Sequence, residues 1–158
     1  KGLDANLNSI VVFSDLIVEK EILQRLMSSD NDISLAIDII NNNTSDFCDF
    51  VTTQKKPIKD GRILTQHRAN VIKKIQKGSN FSESGYEFVG ISYFSKKGSR
   101  LIINEYKKLK KKSNYVDFNR LINHLINKNI KVNAIEINGG WMEIRSKKQF
   151  EQAQKIFK

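Results

Sequence analysis

The chain has 158 residues, enough for a single domain with its own hydrophobic core. Its formal net charge of +10 favours polyanions, phosphorylated small molecules or acidic surfaces as partners. The single cysteine, Cys48, excludes an internal disulfide framework and is typical of a reducing cytoplasm. No stretch is long and apolar enough to span a bilayer, so we expect a cytoplasmic protein without a membrane partner.

Lysine supplies most of the positive charge, notably in the run 107–112. A lysine run at the end of a predicted helix is a solvated surface that also complements the helix dipole. A nucleic-acid interface usually mixes arginine and aromatic residues with lysine, and arginine is scarce here. We therefore do not expect a nucleic-acid partner, and a basic nucleic-acid-binding module is kept only as the weakest alternative.

The first predicted element is a buried strand, Ser9–Phe13, which stops at Ser14 and Asp15. An amphipathic helix, Glu19–Ser28, and a second apolar strand, Ile33–Ile39, follow. Strand, helix and strand at this spacing predict a βαβ unit with a parallel strand pair. Open α/β sheets bind ligands at the carboxyl ends of their strands, which makes Asp15 a candidate ligand of Mg²⁺.

The stretch 41–84 is less regular and predicts an insertion with short antiparallel strands that contacts the substrate. Asp60-Gly61 is a turn signal between possible strands at 51–53 and 63–65, and 71–75 reads as another strand.

The second half of the chain alternates strands and helices, which predicts an α/β fold. The expected elements are a strand at Glu87–Phe94 with Gly90 in its middle, helices at Gly98–Lys110 and Asp117–Lys128, strands at Val132–Ile137 and Met142–Ile144 around the tight-turn sequence Asn138-Gly139-Gly140, and a last helix after Ser146, which forms a capping box with Gln149.

Three acids are candidates for chemistry: Asp15, Asp117 and Glu143, the last of which lies near Trp141. Each also has a structural explanation, as a strand end, a helix N-cap and an exposed strand residue, and spacing alone favours those explanations. His124 lies between core-facing positions of its helix and is interpreted as structural. The chain contains neither of the common glycine-rich phosphate loops.

A series of segments, which also takes in Ile22-Leu23 and Leu26 after the first of them, resembles a known family in its order. The main segments are Phe13-Ser14-Asp15-Leu16-Ile17-Val18, Ser29–Asp38, Glu87-Phe88-Val89-Gly90-Ile91, Asp117–Ile122 and Gly140-Trp141-Met142-Glu143-Ile144. The series resembles the middle of small-molecule nucleotidyltransferases, in particular the phosphonate and phosphocholine cytidylyltransferases that are fused to phosphoenolpyruvate mutase in several bacteria.

The resemblance implies a Rossmann-like sheet flanked by helices. It also implies transfer of a nucleotidyl group from a nucleoside triphosphate, CTP in this branch, to a small phosphonate, phosphocholine or sugar phosphate, with release of pyrophosphate. Asp15 and Glu143 match the catalytic acids that hold Mg²⁺, and Glu87 matches the acceptor pocket. Asp117 and Trp141 lie in matching motifs and are candidate substrate contacts. Arg68, in the irregular stretch, is a further candidate phosphate contact.

Two departures from the family pattern qualify this expectation. The nucleotide-binding half of the family, with its glycine-rich loop, lies upstream and has no counterpart here, so residues 1–158 are expected to be the carboxyl-terminal part of a nucleotidyltransferase domain. Many relatives carry a further acid where this chain has Arg145. A non-catalytic binding domain that kept the fold is therefore the second hypothesis. A fused or associated upstream domain and a homo-oligomer are left open.

Overall fold

The structure is a computed structural model that describes residues 3–39, 48–56, 70–78 and 85–157. Within these ranges the strands are β1 (Ser9–Val12), β2 (Leu16–Val18), β3 (Ile33–Ile39), β4 (Asp49–Thr53), β5 (Asn70–Lys77), β6 (Tyr86–Phe94), β7 (Asn133–Ile137) and β8 (Trp141–Glu143). The helices are α1 (Lys20–Met27), α2 (Lys96–Lys110), α3 (Phe118–Asn127) and α4 (Lys147–Ile156). In this described part of the chain, no helix has both the length and the apolar character needed to cross a membrane.

Three of the four described helices, α2, α3 and α4, begin at a side-chain cap. Asp117 Oδ1 accepts a hydrogen bond of 2.7 Å from the backbone N–H of Arg120, which confirms Asp117 as the N-cap of α3. Ser146 Oγ likewise accepts from the N–H of Gln149 at 3.3 Å and caps α4. The side chain of Ser95 caps α2, so that helix begins two residues before the predicted start at Gly98. Helices α1, α2 and α3 confirm the sequence predictions to within two residues at each end, and α4 begins where the sequence predicted.

Six strands form one mixed sheet in the order β1-β6-β3-β7-β5-β4. The prediction that the first strand and Ile33–Ile39 are neighbouring parallel strands is wrong, because β6 lies between them and pairs antiparallel with both. The parallel pair is instead β3 with β7. The α/β class with a sheet flanked by helices is confirmed.

The predicted antiparallel strands of 41–84 are present where that stretch is described. β4 and β5 pair antiparallel, but both also join the main sheet, β4 through β6 and β5 through β7. The predicted turn at Asp60-Gly61 and the strand at 63–65 lie outside the described residues.

The sheet buries an apolar layer on each face. One layer packs against α2 and α3 and includes Leu35, Ile37 and Leu125. The other packs against α1 and includes Leu26, Ala36 and Ile91. Leu35, Ala36 and Ile37 therefore alternate between the layers, as successive residues of a strand must.

A buried carboxylate joins α2 to α3. Glu105 of α2 is only 6% exposed. It binds Lys108 Nζ at 2.6 Å, and across the helix pair it binds Lys128 Nζ at 2.6 Å and His124 Nε2 at 2.9 Å. His124 is thus a partnered structural histidine, as the sequence indicated. Lys108 first, and then Lys128 and His124, lower the pKa of Glu105 to about 2.

Replacing this carboxylate changes how stability depends on pH. A pKa below its ordinary value of 4.5 contributes stability that is present above that value and is lost as the pH falls towards 2. We expect Glu105→Gln to lower the free energy of unfolding at pH 7 by roughly 2 kcal/mol, with the deficit shrinking between pH 5 and pH 3. Urea titrations at several pH values measure it. Glu151→Gln, on an exposed 3.9 Å pair, is the control and should change little. A deficit that does not vary with pH would contradict this role.

Candidate functional site

Asp15 lies at the corner of a tight turn. Leu16 N–H donates to the carbonyl of Phe13 at 3.3 Å, which leaves Ser14 and Asp15 at the central positions of the turn. The sequence predicted that helix α1 follows this turn directly, but the short strand β2 comes first. The half-buried Asp15 therefore joins two strands instead of ending one strand before a helix.

A bulge in β6 forms the surface on which this turn packs. Leu35 of β3 is opposite Ser92 and Ile37 is opposite Phe88, so β6 carries two extra residues between these pairs. Gly90 lies in the bulge with a φ of +80°, which a glycine adopts without strain. A Cβ atom there would lie 2.8 Å from Phe13 Cδ2 and 2.9 Å from Leu16 Cδ1. The two side chains that flank the turn thus rest directly on the Gly90 backbone.

Aromatic rings hold the same turn from another side. The ring of Phe13 packs edge-on against Phe88, with centroids 5.7 Å apart, and against Phe118 at 6.2 Å. Phe88 and Phe118 stack on each other at 5.2 Å. Because Phe118 is the first residue of α3, these contacts fix the Asp15 turn relative to both β6 and α3.

Strand β8 brings Glu143 to the segment that follows Asp15. In the antiparallel ladder of β2 with β8, Leu16 is opposite Glu143. Beyond the ladder, Ile144 N–H donates to the Asp15 carbonyl at 2.7 Å. The structure therefore places Asp15 and Glu143 on directly paired segments.

The strands around the double glycine do not pair with each other. β7 pairs with β3 and β5, whereas β8 pairs with β2. The tight turn that the sequence predicted is thus a crossing between two sheets. Gly139 and Gly140 have φ values of +71° and +77°, and the Gly140 carbonyl accepts from Glu19 N–H at 2.8 Å.

Glu143 forms an ion pair with Arg145. Arg145 Nη2 donates to Glu143 Oε1 at 2.5 Å, and the backbone N–H of Arg145 donates to Gln149 Oε1 at 2.9 Å. The family resemblance singled out Arg145 because relatives carry an acid there, and here its guanidinium lies on one carboxylate oxygen of Glu143. An ionised carboxylate has about four acceptor positions on its two oxygens, so Glu143 can still bind a further donor or a cation.

Glu87 adds a third partly buried carboxyl to this region, after Asp15 and Glu143. It lies on β6 opposite Asp38 of β3. Burial is the main cause that raises the pKa of Glu87, a hydrogen bond from Cys48 opposes the rise, and the charges of Asp38 and Glu143 add to it. The charges of Asp38 on β3 and Glu143 on β8 thus both act on Glu87 of β6.

Sequence reasoning missed Asp38 as a site residue. It appeared only as the last residue of one motif, because it lies inside the apolar strand Ile33–Ile39, whereas Asp15 follows its strand. Asp38 is 6% exposed, and its Oδ2 accepts hydrogen bonds from Gly139 N–H at 2.9 Å and from Trp141 Nε1 at 2.8 Å.

The other predicted site residues are Asp117, Trp141 and Arg68, and the described contacts of Asp117 and Trp141 are structural. Asp117 uses Oδ1 to cap α3, and Trp141 directs its indole N–H to Asp38. Arg68 lies outside the described residues. Among the residues that the structure does describe, no group of three or more His, Cys, Asp and Glu side chains is arranged to hold a metal ion. Mg²⁺ needs fewer protein ligands, since it commonly binds one or two carboxylates together with water and substrate phosphates.

No protein-family model and no curated protein matches this sequence. Solved structures do match. A UTP-bound UGPase from Acinetobacter baumannii has a TM-score of 0.68 at 16% identity, over 99% of this chain and 51% of that chain. An inositol-1-phosphate CTP transferase from T. maritima has a TM-score of 0.63 at 13% identity, over 90% of this chain and 51% of that chain. A nucleoside-diphosphate-sugar pyrophosphorylase from Vibrio cholerae RC9 has a TM-score of 0.52 at 14% identity, over 92% of this chain and 55% of that chain.

The chain has the fold of the nucleotidyltransferases. This confirms the fold that the motif series implied. The chain spans about half the length of the structures that it matches.

The close packing on Gly90 gives a testable consequence. Gly90→Ala should lower the free energy of unfolding by about 2–4 kcal/mol, because backbone strain at positive φ adds to overpacking against Phe13 and Leu16. Gly78→Ala is the matched control: its φ is +111°, but a Cβ there meets no described atom within 4 Å, so only strain of about 1–2 kcal/mol is expected. Denaturant unfolding measures both variants, and equal losses would show that the turn does not rest on Gly90.

Proposed function

We propose that this chain is the acceptor- and metal-binding part of a nucleotidyltransferase. The reaction is transfer of a nucleotidyl group from a nucleoside triphosphate to a small phosphorylated acceptor, with release of pyrophosphate. The observation that carries the proposal is the pairing of the Asp15 turn with the Glu143 strand in a chain of this fold. Sugar phosphates, phosphocholine and small phosphonates are the acceptor classes, and CTP is the first nucleotide to test.

The donor set suits Mg²⁺. Asp15 and Glu143 offer carboxylate oxygens from two paired segments, and hard cations such as Mg²⁺ prefer oxygen ligands. Bound there with the triphosphate, Mg²⁺ would neutralise charge on the phosphates during in-line attack. Arg145 already compensates part of the charge of Glu143, so Asp15 is the stronger of the two proposed ligands.

In this proposal, the residues around Glu87 bind the acceptor. Its half-buried carboxyl lies between β4 and β3, where it can accept hydrogen bonds from the hydroxyl groups of an acceptor. The indole N–H of Trp141 is committed to Asp38, and Asp117 Oδ1 is committed to its helix. We therefore propose Glu87 as the main acceptor contact, with the ring of Trp141 beside it. Arg68 stays a candidate for a phosphate contact.

The remaining half of the fold would carry the nucleotide. Among the described strands, β1 pairs with β6 on one edge only. An apolar groove of about 660 Å³ lies beside β1 and is lined by Ile10, Val12, Ile103 and Tyr106, among others. An unpaired strand edge next to an apolar groove is a surface on which another α/β segment can add a strand. We propose that the nucleotide-binding half packs there.

A binding domain without catalytic activity is the second candidate. The Glu143–Arg145 ion pair favours it, since a guanidinium on a proposed metal ligand weakens the attraction for a cation. Such a domain would still bind the acceptor but would release no pyrophosphate, so the assay below separates the two candidates.

The assay measures pyrophosphate release by the full natural protein that contains this chain, with Mg²⁺, CTP or UTP, and a panel of sugar 1-phosphates, phosphocholine and simple phosphonates. We expect release with at least one pair and a loss of 10²-fold or more in Asp15→Asn, because a carboxylate that holds the cation against the transferring phosphate is removed. Asp30→Asn, an exposed acid in the loop before β3, is the matched control and should retain full activity. Absence of release with every pair would overturn the proposed reaction, and full activity of Asp15→Asn would overturn the metal role.

A further inference from the structure

The carboxylate of Asp38 is held in place by three N–H groups. Its Oδ1 accepts from its neighbour Ile39 N–H at 2.7 Å, and its Oδ2 accepts from Gly139 N–H at 2.9 Å and Trp141 Nε1 at 2.8 Å. A carboxylate that is 6% exposed is stable in the fold only when its oxygens are satisfied in this way. All three partners are donors, so an ionised acid fits the position and an amide does not, because one of its two atoms would be an N–H₂ that opposes a donor.

These bonds hold both sides of the double-glycine turn. Gly139 precedes Gly140, and Trp141 follows it as the first residue of β8. The carbonyl of Gly140 is bonded to Glu19 N–H at 2.8 Å, which ties the same turn to the start of α1. Two contacts therefore fix the turn that leads into β8. The side chain of Asp38 on β3 holds Gly139 and Trp141, and the backbone N–H of Glu19, just before α1, holds Gly140.

Strand β8 depends on such external contacts. It has three residues and pairs with a strand of three residues, and a two-stranded ladder of that length has little stability of its own. Glu143 is the last residue of β8, two positions beyond the Trp141 ring that Asp38 holds. Trp141 and Glu143 lie on the same face of the strand, so the orientation of one sets that of the other.

We infer that Asp38 is a positioning residue for the metal-binding acid Glu143. It fixes the Gly139–Trp141 turn and thereby the register of β8 against β2. The role of Glu143 in this inference rests on the proposed function. The hydrogen bonds from Gly139 and Trp141 to Asp38, which we call the clasp, are a property of the fold. Loss of a residue that orients a metal ligand without touching the metal typically weakens metal affinity by about 10–100-fold.

The test uses Trp141, the single tryptophan of the chain, as a reporter. In Asp38→Asn we expect a red shift of the tryptophan emission, faster amide exchange confined to Gly139–Ile144, and a 10–100-fold weaker affinity for Mn²⁺, the probe ion, in titrations of this chain. Trp141→Phe keeps an aromatic ring but removes the indole N–H that donates to Asp38, so it should accelerate exchange in the same segment with a smaller loss of Mn²⁺ affinity. It also serves if Asp38→Asn does not fold.

Asp32→Asn is the matched control. Asp32 precedes the other end of β3 and binds Ser95 Oγ at 2.8 Å and Lys97 Nζ at 2.6 Å, away from β8. It should leave the emission, the exchange of Gly139–Ile144 and the Mn²⁺ affinity unchanged.

The outcomes separate the clasp from the proposed function. Normal exchange of Gly139–Ile144 in Asp38→Asn and Trp141→Phe, or exchange that rises equally over the whole chain, overturns the inference. A loosened β8 with weakened Mn²⁺ binding supports it. A loosened β8 in a chain whose unsubstituted form binds no Mn²⁺ supports the clasp and overturns the metal role of Glu143.

Discussion

The candidate site depends on a ladder between two strands of three residues each. β2 carries the chain away from Asp15, and β8 carries Glu143. Within the described part of the chain, the two strands form a separate two-stranded sheet. So short a ladder must be held from outside. Leu16 of β2 rests on the Gly90 bulge together with Phe13, and β8 is held at its first residue by Asp38. Tight packing on one strand and a buried carboxylate on the other thus bring the two acids together.

The same arrangement explains the local charge. The chain as a whole carries a net charge of +10, yet the negative charges of Asp38 and Glu143 both act on a third acid, Glu87. Asp38 is compensated by three N–H donors and Glu143 by Arg145. Burial raises the pKa of Glu87, and a hydrogen bond from Cys48 opposes that rise. A carboxyl in that condition is suited to contact the hydroxyl groups of a ligand.

The sequence predicted what local patterns determine. The apolar stripe and Asp117 cap located α3, and Ser146 with Gln149 located α4, because caps and helical periodicity are read from neighbouring residues. Partners distant in the chain were not predicted. Asn138-Gly139-Gly140 correctly signalled a turn but could not show that the strands on either side join different sheets. β6 between β1 and β3, and the clasp of Asp38 on Trp141, are likewise long-range pairings without a local signal.

The most direct test of the account is paramagnetic broadening of backbone amide signals by Mn²⁺ in this chain. If Asp15 and Glu143 share one cation, low Mn²⁺ concentrations should broaden Ser14–Leu16 and Met142–Ile144 together, and excess Mg²⁺ should restore the signals. Broadening of only one of the two segments, or only of other surface acids such as Glu151, would contradict the shared site on which the proposed function rests.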